Sequence, residues 1–132
     1  MSAISLSKKQ LKRSVEYIPK TAFLDVAPLI DTHLLMLDDL SFSAESARII
    51  EETLVNAEWA LKQHHDYLVS IFDEIEDQYL RTRGDDIKHV VDRIVRNLGE
   101  VNPSANEVAS GSLTGAVALA HDLSPAEVIL LQ

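Results

Sequence analysis

The sequence predicts an all-α fold, and the evidence is its scarcity of glycine and proline together with its apolar spacing. Each of the two residues occurs four times in 132 positions, and between positions 29 and 98 the only one of either type is Gly84. Turn-rich β structure needs more of both residues, whereas long helices need few. Apolar residues recur at spacings of three and four, as on one face of a helix. With 46% hydrophobic residues, the chain can bury one ordinary domain core.

The charge balance and the absence of cysteine exclude several classes of function. The 21 acidic and 12 basic residues give a net charge of −9, although residues 1–20 are basic. Such an acidic chain repels nucleic-acid phosphates and favours a basic protein partner. Without cysteine, a disulfide, a zinc thiolate and a cysteine nucleophile are all excluded. Because neither a membrane-span pattern nor a signal-peptide pattern is found, we expect a cytoplasmic protein without nucleic-acid or membrane partners.

The first two predicted helices lie before residue 40. Ser7 and Gln10 have the spacing of a capping box and predict the start of a short helix, which Pro19 ends. A second helix is predicted over about 22–38. Pro28 is expected either in its first turn or at a kink.

The second predicted helix carries two apolar stripes. One consists of Val26, Ile30, Leu34 and Leu37, and the other consists of Leu29, His33, Met36 and Leu40. Acidic residues flank them at Asp31, Asp38 and Asp39. The combined apolar arc is wider than one core-facing stripe needs. Either the helix packs between two neighbours, or the second stripe is an exposed partner surface with an acidic margin.

Three further helices are predicted before residue 99. The first of them covers about 43–55, and Asn56 is the expected N-cap of a long helix over 57–83. Gly84 is expected to end that helix and to separate it from the next, over 85–98.

The C-terminal part of the sequence has a different character. Residues 99–115 are rich in Gly, Asn and Ser and predict a linker, and 116–120 predict a short strand. Ser124 and Glu127 predict a capping box at a helix start. Because a lone strand and half a helix cannot bury themselves, the sequence looks cut off. We expect residues beyond about 103 to be disordered or to pair with a second copy.

The histidines and acids do not assemble into a predicted catalytic or metal site. Asp86 and His89 approximate one Glu-x-x-His motif, whereas a di-metal site in a helical bundle needs two and further glutamates. His64 and His65 are interpreted as boundary and surface residues, and His121 as structural. A solvated helix face is the interpretation of the acids at Asp73, Glu74, Glu76 and Asp77. The residues alone therefore predict a helical interaction module, without a catalytic residue or a metal.

Five stretches of the sequence, taken in order, carry a specific pattern. They are His33-Leu-Leu-Met-Leu-Asp38, Asn56-Ala-Glu-Trp-Ala-Leu61, Asp77-Gln-Tyr-Leu-Arg-Thr-Arg83, Arg93-Ile-Val-Arg-Asn-Leu98 and Ala118-Leu-Ala-His-Asp-Leu-Ser-Pro-Ala-Glu127. From about residue 22 onward, the chain resembles enzyme I of the bacterial phosphoenolpyruvate:sugar phosphotransferase system.

This resemblance implies a domain organisation and a role. It implies a variable helical segment over 1–20, a helical domain over 21–98 that binds the phosphocarrier HPr, a linker over 99–115, and the truncated strand–turn–helix start of an α/β phosphohistidine domain over 116–132. In the family, the parent enzyme passes a phosphoryl group from phosphoenolpyruvate through its own histidine to HPr. It uses Mg²⁺ in a separate C-terminal barrel, and it dimerises through its C-terminal domain.

The resemblance also places the HPr-docking surface on the second helix, with help from the fourth. The matching positions are Asp25, Leu29, His33, Met36, Leu40, Phe42, Phe72 and Arg83, with Tyr79 beside them. His33 and Met36 also belong to the second apolar stripe, so the two arguments agree there. Phe72 and Tyr79 are expected to belong to the core rather than to contact the partner.

Departures from the family pattern limit the role that we expect. The Gly-Gly-x-Thr-Ser-His motif of the active histidine does not occur in this sequence, and the barrel is missing. We therefore expect docking without catalysis and without a cofactor in this chain. One alternative is an enzyme I-like module repurposed for regulation, since residues 1–20 depart from the family pattern. Another is a stand-alone bundle that binds a metal or a small molecule.

Overall fold

Six α-helices form the regular structure of the chain. A computed structural model describes residues 2–99, 117, 120 and 122–131. The helices are α1 (Ser2–Val15), α2 (Phe23–Asp38), α3 (Leu40–Thr53), α4 (Ala57–Asp73), α5 (Gln78–Gly99) and α6 (Pro125–Leu130). Because the described residues contain no β-strand, the prediction of an all-α fold is confirmed.

The core lies around α5, which packs against α1, α2 and α4. The most deeply buried apolar side chains include Leu11 of α1, Ile30 of α2, and Val90 and Ile94 of α5. Burial of a side chain of this size contributes about 1.5–3 kcal/mol to stability. Because α3 packs against α2 and α4 but no other helix of the described part, it lies on the outside of the bundle.

A buried polar network joins α1 to α5. Asn97 Nδ2 donates to Ser7 Oγ at 2.8 Å and to Gln10 Oε1 at 3.0 Å, and Gln10 Nε2 donates to Asn97 Oδ1 at 3.1 Å. Ser7 Oγ in turn donates to the Ala3 carbonyl at 2.8 Å. The interpretation of Ser7 and Gln10 as a capping box is therefore wrong. Both lie inside α1, and their spacing instead points them at α5.

Local capping explains where most of the other helices begin. Asn56 accepts a hydrogen bond from the Trp59 N–H at the start of α4, and Ser124 forms a full capping box with Glu127 at α6, as predicted. The start of α3 was predicted too late, since Asp39 accepts from the Ser41 N–H. In α2, Pro28 lies beyond the first turn, where it cannot donate a backbone hydrogen bond.

The boundary between α4 and α5 differs from the prediction. The chain leaves helix after Asp73 and resumes helix at Gln78, and α5 then continues through Gly84. Asp73 is thus the last residue of α4, whereas Glu74, Glu76 and Asp77 lie at the break and not on a helix face; all four are exposed. A continuous helix would hold like charges three and four residues apart, which is unfavourable. A glycine inside a helix costs only about 1 kcal/mol, which packing of α5 can offset.

The C-terminal helix packs on the bundle. Ala126 and Ile129 of α6 are buried, and α6 contacts α1 and α2. The expectation that everything beyond about residue 103 is disordered or pairs with a second copy is therefore wrong for 122–131. Most of the predicted linker and strand lies outside the described residues, although Val117 and Ala120 are described and belong to neither helix nor strand. Within the described part, no helix has the length and apolarity required to cross a membrane.

Candidate functional site

The outward face of α2 exposes two large apolar side chains. Leu24 is 87% exposed and Leu35 is 71% exposed. They are eleven residues apart, or three helical turns, so they share one face of α2. Asp31 and Asp38 lie on the same face and are also exposed. Neither Leu24 nor Leu35 belongs to the two apolar stripes, so neither was predicted to bind a partner.

The second apolar stripe is not continuous at the surface. Leu40 is 81% exposed and Leu29 is 40% exposed, but Met36 is half-buried and His33 is only 2% exposed. The hypothesis of an exposed stripe is therefore wrong at His33, where α2 packs between neighbours. Asp25, which was predicted to bind a partner, is exposed.

The remaining predicted partner-binding residues lie partly in the core. Phe42 is half-buried and packs on His64, with ring centroids 4.9 Å apart. Phe72 is half-buried against the main core, as expected. Arg83 Nη1 donates to Asp86 Oδ2 at 2.9 Å, and the side chain of Tyr79 lies outside the described residues. The predicted residues thus divide between the surface of α2 and the interior.

An ion pair links the basic N-terminal segment to the acidic end of α2. Lys8 Nζ lies 2.6 Å from Asp38 Oδ1. This contact with Lys8 lowers the pKa of the Asp38 carboxyl below its usual value. The surface of α2 is therefore not uniformly acidic, because α1 places a cation beside its C-terminal end.

An apolar cavity adjoins the N-terminal part of α2. It has a volume of about 300 Å³, and its lining includes Val26 and Leu29 of α2 together with Val128 and Ile129 of α6. The exposed apolar surface of α2 thus extends from Leu29 towards α6.

A cluster of polar side chains lies on the other side of α2, where it meets α5. His33 Nε2 is 3.3 Å from Asp86 Oδ1, and the rings of His33 and His89 are 5.9 Å apart. One nitrogen or oxygen atom from each of the three residues lies within 4.8 Å of the others. Burial lowers the pKa of His33 despite the opposing effect of Asp86, so His33 is neutral near pH 7.

The C-terminal segment completes the surroundings of His89. Its Nε2 lies 3.1 Å from Asp122 Oδ2, which also accepts a hydrogen bond from Lys88 Nζ at 3.2 Å. The Nδ1 atom of His89 is buried and has no hydrogen-bond partner in the described part of the chain. A cavity of about 330 Å³ opens beside His89, with Asp122 and Glu127 in its lining.

Taken together, the described residues define an all-helical domain with a partly apolar, acid-flanked outer face. They bring together no nucleophile, general base and anion-binding group of the kind that an enzyme's active site needs. The protein family described as "PEP-utilising enzyme, N-terminal" matches residues 1–83. The chain belongs to this family.

Curated relatives support the same family assignment over almost the whole chain. The phosphoenolpyruvate-protein phosphotransferase of Cupriavidus necator is 35% identical over 134 residues, which cover 97% of this chain. Proteins of the same name from Listeria monocytogenes and Bacillus subtilis are each 30% identical over 98% of it. The chain spans 22% of the length of each of these relatives. The resemblance to enzyme I is therefore confirmed. The region aligned with these proteins also includes residues 1–20, in which no motif of the family was recognised.

Proposed function

We propose that this chain is the docking domain for an HPr-like phosphocarrier in an enzyme I-type phosphotransferase. The single observation that carries the proposal is the exposure of Leu24 and Leu35 on one face of α2, beside Asp31. Membership of the family supports a role in phosphotransfer. The docking role adds a reason for large apolar side chains to remain in contact with water.

The chemistry of this face suits one kind of partner. Apolar anchors at the centre of an interface supply most of the binding free energy, and charges at its rim guide association. Exposed leucines flanked by Asp25 and Asp31 therefore fit a partner with an apolar patch and a basic rim. Leu40 at the start of α3 is also exposed, whereas Leu29 lies about 140° round α2 from Leu24 and borders the cavity next to α6.

The proposal assigns recognition, not bond formation, to this chain. The parent protein would take its phosphoryl group from phosphoenolpyruvate with Mg²⁺ and would dimerise through other domains, in the cytoplasm. The alternative of a repurposed regulatory module rested on divergence of residues 1–20. Since the family match begins at residue 1, that reason for the alternative is lost.

The proposal is tested by titrating the isotopically labelled chain with an unphosphorylated HPr-type phosphocarrier and following backbone amide shifts. We expect the perturbations to cluster on α2 and the start of α3. Leu35→Ala should weaken binding about tenfold, since an interface anchor is worth about 1–2 kcal/mol. Leu54→Ala is the matched control, because Leu54 is 89% exposed but lies at the far end of α3.

Two results would contradict the docking proposal. One is the absence of amide shifts at millimolar phosphocarrier while the helices remain folded. The other is an equal loss of affinity in Leu35→Ala and Leu54→Ala, which would show that α2 has no special part in binding.

A further inference from the structure

Three metal-binding side chains converge between α2 and α5, and no step of the docking role uses them. Asp86 and His89 are three residues apart, one helical turn along α5, and His33 reaches them from α2. Their ligand atoms lie within 4.8 Å of one another. The 3.3 Å between His33 Nε2 and Asp86 Oδ1 is close to the spacing of two ligands on one tetrahedral Zn²⁺, about 3.4 Å for bonds of about 2.1 Å.

We propose that His33, Asp86 and His89 bind a divalent transition metal ion, and that Zn²⁺ is the ion the site fits. Two imidazoles and one carboxylate favour Zn²⁺ over Mg²⁺ or Ca²⁺, which prefer oxygen ligands alone. Three protein ligands leave the fourth position of a tetrahedral ion open.

The surroundings of the three side chains prepare them for a metal. Arg83 binds Asp86 through Oδ2, so the carboxylate is oriented with Oδ1 towards His33. Asp122 lies against Nε2 of His89, while Nδ1 of the same ring is buried without a partner in the described residues. A histidine with one nitrogen held by a carboxylate and the other unused is typical of metal sites.

An ordinary ion pair does not account for this arrangement. His33 is only 2% exposed where α2 packs on α5, and its Nε2 lies 3.3 Å from Asp86 Oδ1. The cation that pairs with Asp86 is Arg83. Nε2 of His33 faces the other carboxylate oxygen, Oδ1, and a metal ion would take the place of the proton between these two atoms. The site also explains why His33 is buried although α2 has an exposed face.

The three ligands of this site cannot be recognised from sequence spacing. Asp86 and His89 approximate only one of the paired Glu-x-x-His motifs of a di-metal centre. The third ligand, His33, lies 53 residues from Asp86 and is brought to it by the packing of α2 on α5. The prediction that the chain has no metal site is the one that this proposal replaces.

The proposal is tested on the full 132-residue chain after chelator treatment, with Co²⁺ as a spectroscopic probe and Zn²⁺ in calorimetric titration. We expect one ion per chain, with the visible absorption bands of four-coordinate Co²⁺ that Zn²⁺ displaces. His89→Ala should lower the affinity at least about tenfold. Asp122→Asn should lower it by about 10-fold, the lower end for loss of a carboxylate that supports a ligand.

Two control variants make the test specific. His65→Ala removes another histidine beside a carboxylate, since His65 Nδ1 lies 3.0 Å from Asp66 Oδ1, but that pair has no third ligand in the described residues. His121→Ala removes the histidine next to Asp122 in sequence. Both variants should keep the affinity of the unsubstituted chain.

Thermal unfolding supplies a second readout that separates binding from misfolding. Zn²⁺ should raise the Tm of the unsubstituted chain and of His65→Ala, but not that of His89→Ala, whose helicity is checked by circular dichroism. Absence of saturable binding by either ion would overturn the proposal. So would binding that survives in folded His89→Ala, or that is lost in His65→Ala or His121→Ala.

Discussion

The two sides of the bundle bury polar groups in different ways. Between α1 and α5, the amides of Gln10 and Asn97 are paired with each other, and Ser7 completes the network. Between α3 and α4, Ser46 Oγ lies 3.3 Å from Nδ1 of His64. The first arrangement is fully paired and neutral, whereas the second contains a group that can gain a charge.

Apolar packing differs between the same two regions. Helices α1 and α5 bury a continuous set of side chains, whereas the buried residue of α3 is Ser46. Large apolar side chains remain exposed along α3 and α4 at Leu54, Trp59, Tyr67 and Ile71. Regions with few buried contacts open locally at a lower free energy than the whole protein unfolds. Because α4 packs on α5 and contributes Leu61 to the core, we expect the α1–α5 region to set the global stability and α3 to open first.

The largest expected effect comes from shortening a core side chain between α1 and α5. Leu11 is fully buried, so Leu11→Ala removes buried methyl groups and leaves a cavity. The free energy of unfolding should fall by about 2–5 kcal/mol. Urea denaturation measures this change. Leu54→Ala, on the thinly packed side, should change it by less than about 0.5 kcal/mol. Equal losses in the two variants would contradict the difference between the two regions.

A smaller effect is expected from breaking the amide pair. Asn97→Ala leaves Gln10 and Ser7 without their buried partner, which should lower the free energy of unfolding by about 1–3 kcal/mol. The double variant with Gln10→Ala measures the coupling between the two amides. If the losses in the single variants simply add, the pair does not act as a unit.

The smallest expected effect is a pH dependence confined to α3 and α4. Burial lowers the pKa of His64 below its usual value of 6.5, and the nearby Glu45 carboxylate offsets only part of this. The unfolded segment then binds a proton at higher pH than the folded one does. The stability due to neutral His64 is therefore complete above about pH 6.5 and is lost as the pH falls through the folded-state pKa.

Amide hydrogen exchange at pH 7.5 and at pH 5.5 would measure this effect, after correction for the intrinsic rate. Protection should decrease with acidity in α3 and α4 more than at the centre of α5. In His64→Gln, which keeps a polar side chain beside Ser46, the additional decrease should disappear. An unchanged pH dependence in His64→Gln would assign the effect to another group.

The parts of the fold that the sequence predicted correctly depend on local signals. Asn56 and Ser124 cap their helices through neighbours three residues away, and such contacts can be inferred from spacing alone. The prediction that Gly84 ends a helix was wrong because the cost of a glycine inside a helix is small compared with the packing of α5. Ser7 and Gln10 were wrongly predicted to form a capping box because a capping pair and a pair facing a neighbouring helix have the same spacing.

The candidate site was less predictable because it depends on contacts between distant helices. The family resemblance located α2, and the structure then showed that Leu24 and Leu35, not His33, lie at the surface. Which side of a broadly apolar helix faces water depends on where its neighbours lie. In this chain α5, about fifty residues further along, decides that His33 is enclosed.

The Gln10–Asn97 pair also specifies how α1 aligns along α5. Ser7 and Ser14 are both buried and lie seven residues apart on the same face of α1, so a slide of two turns would offer Asn97 a similar hydroxyl. The residue seven positions after Gln10 is Tyr17, which has no amide to pair with Asn97. A displaced alignment would therefore leave a buried amide unpaired. One glutamine thus distinguishes the native alignment from an alternative that apolar packing alone would permit.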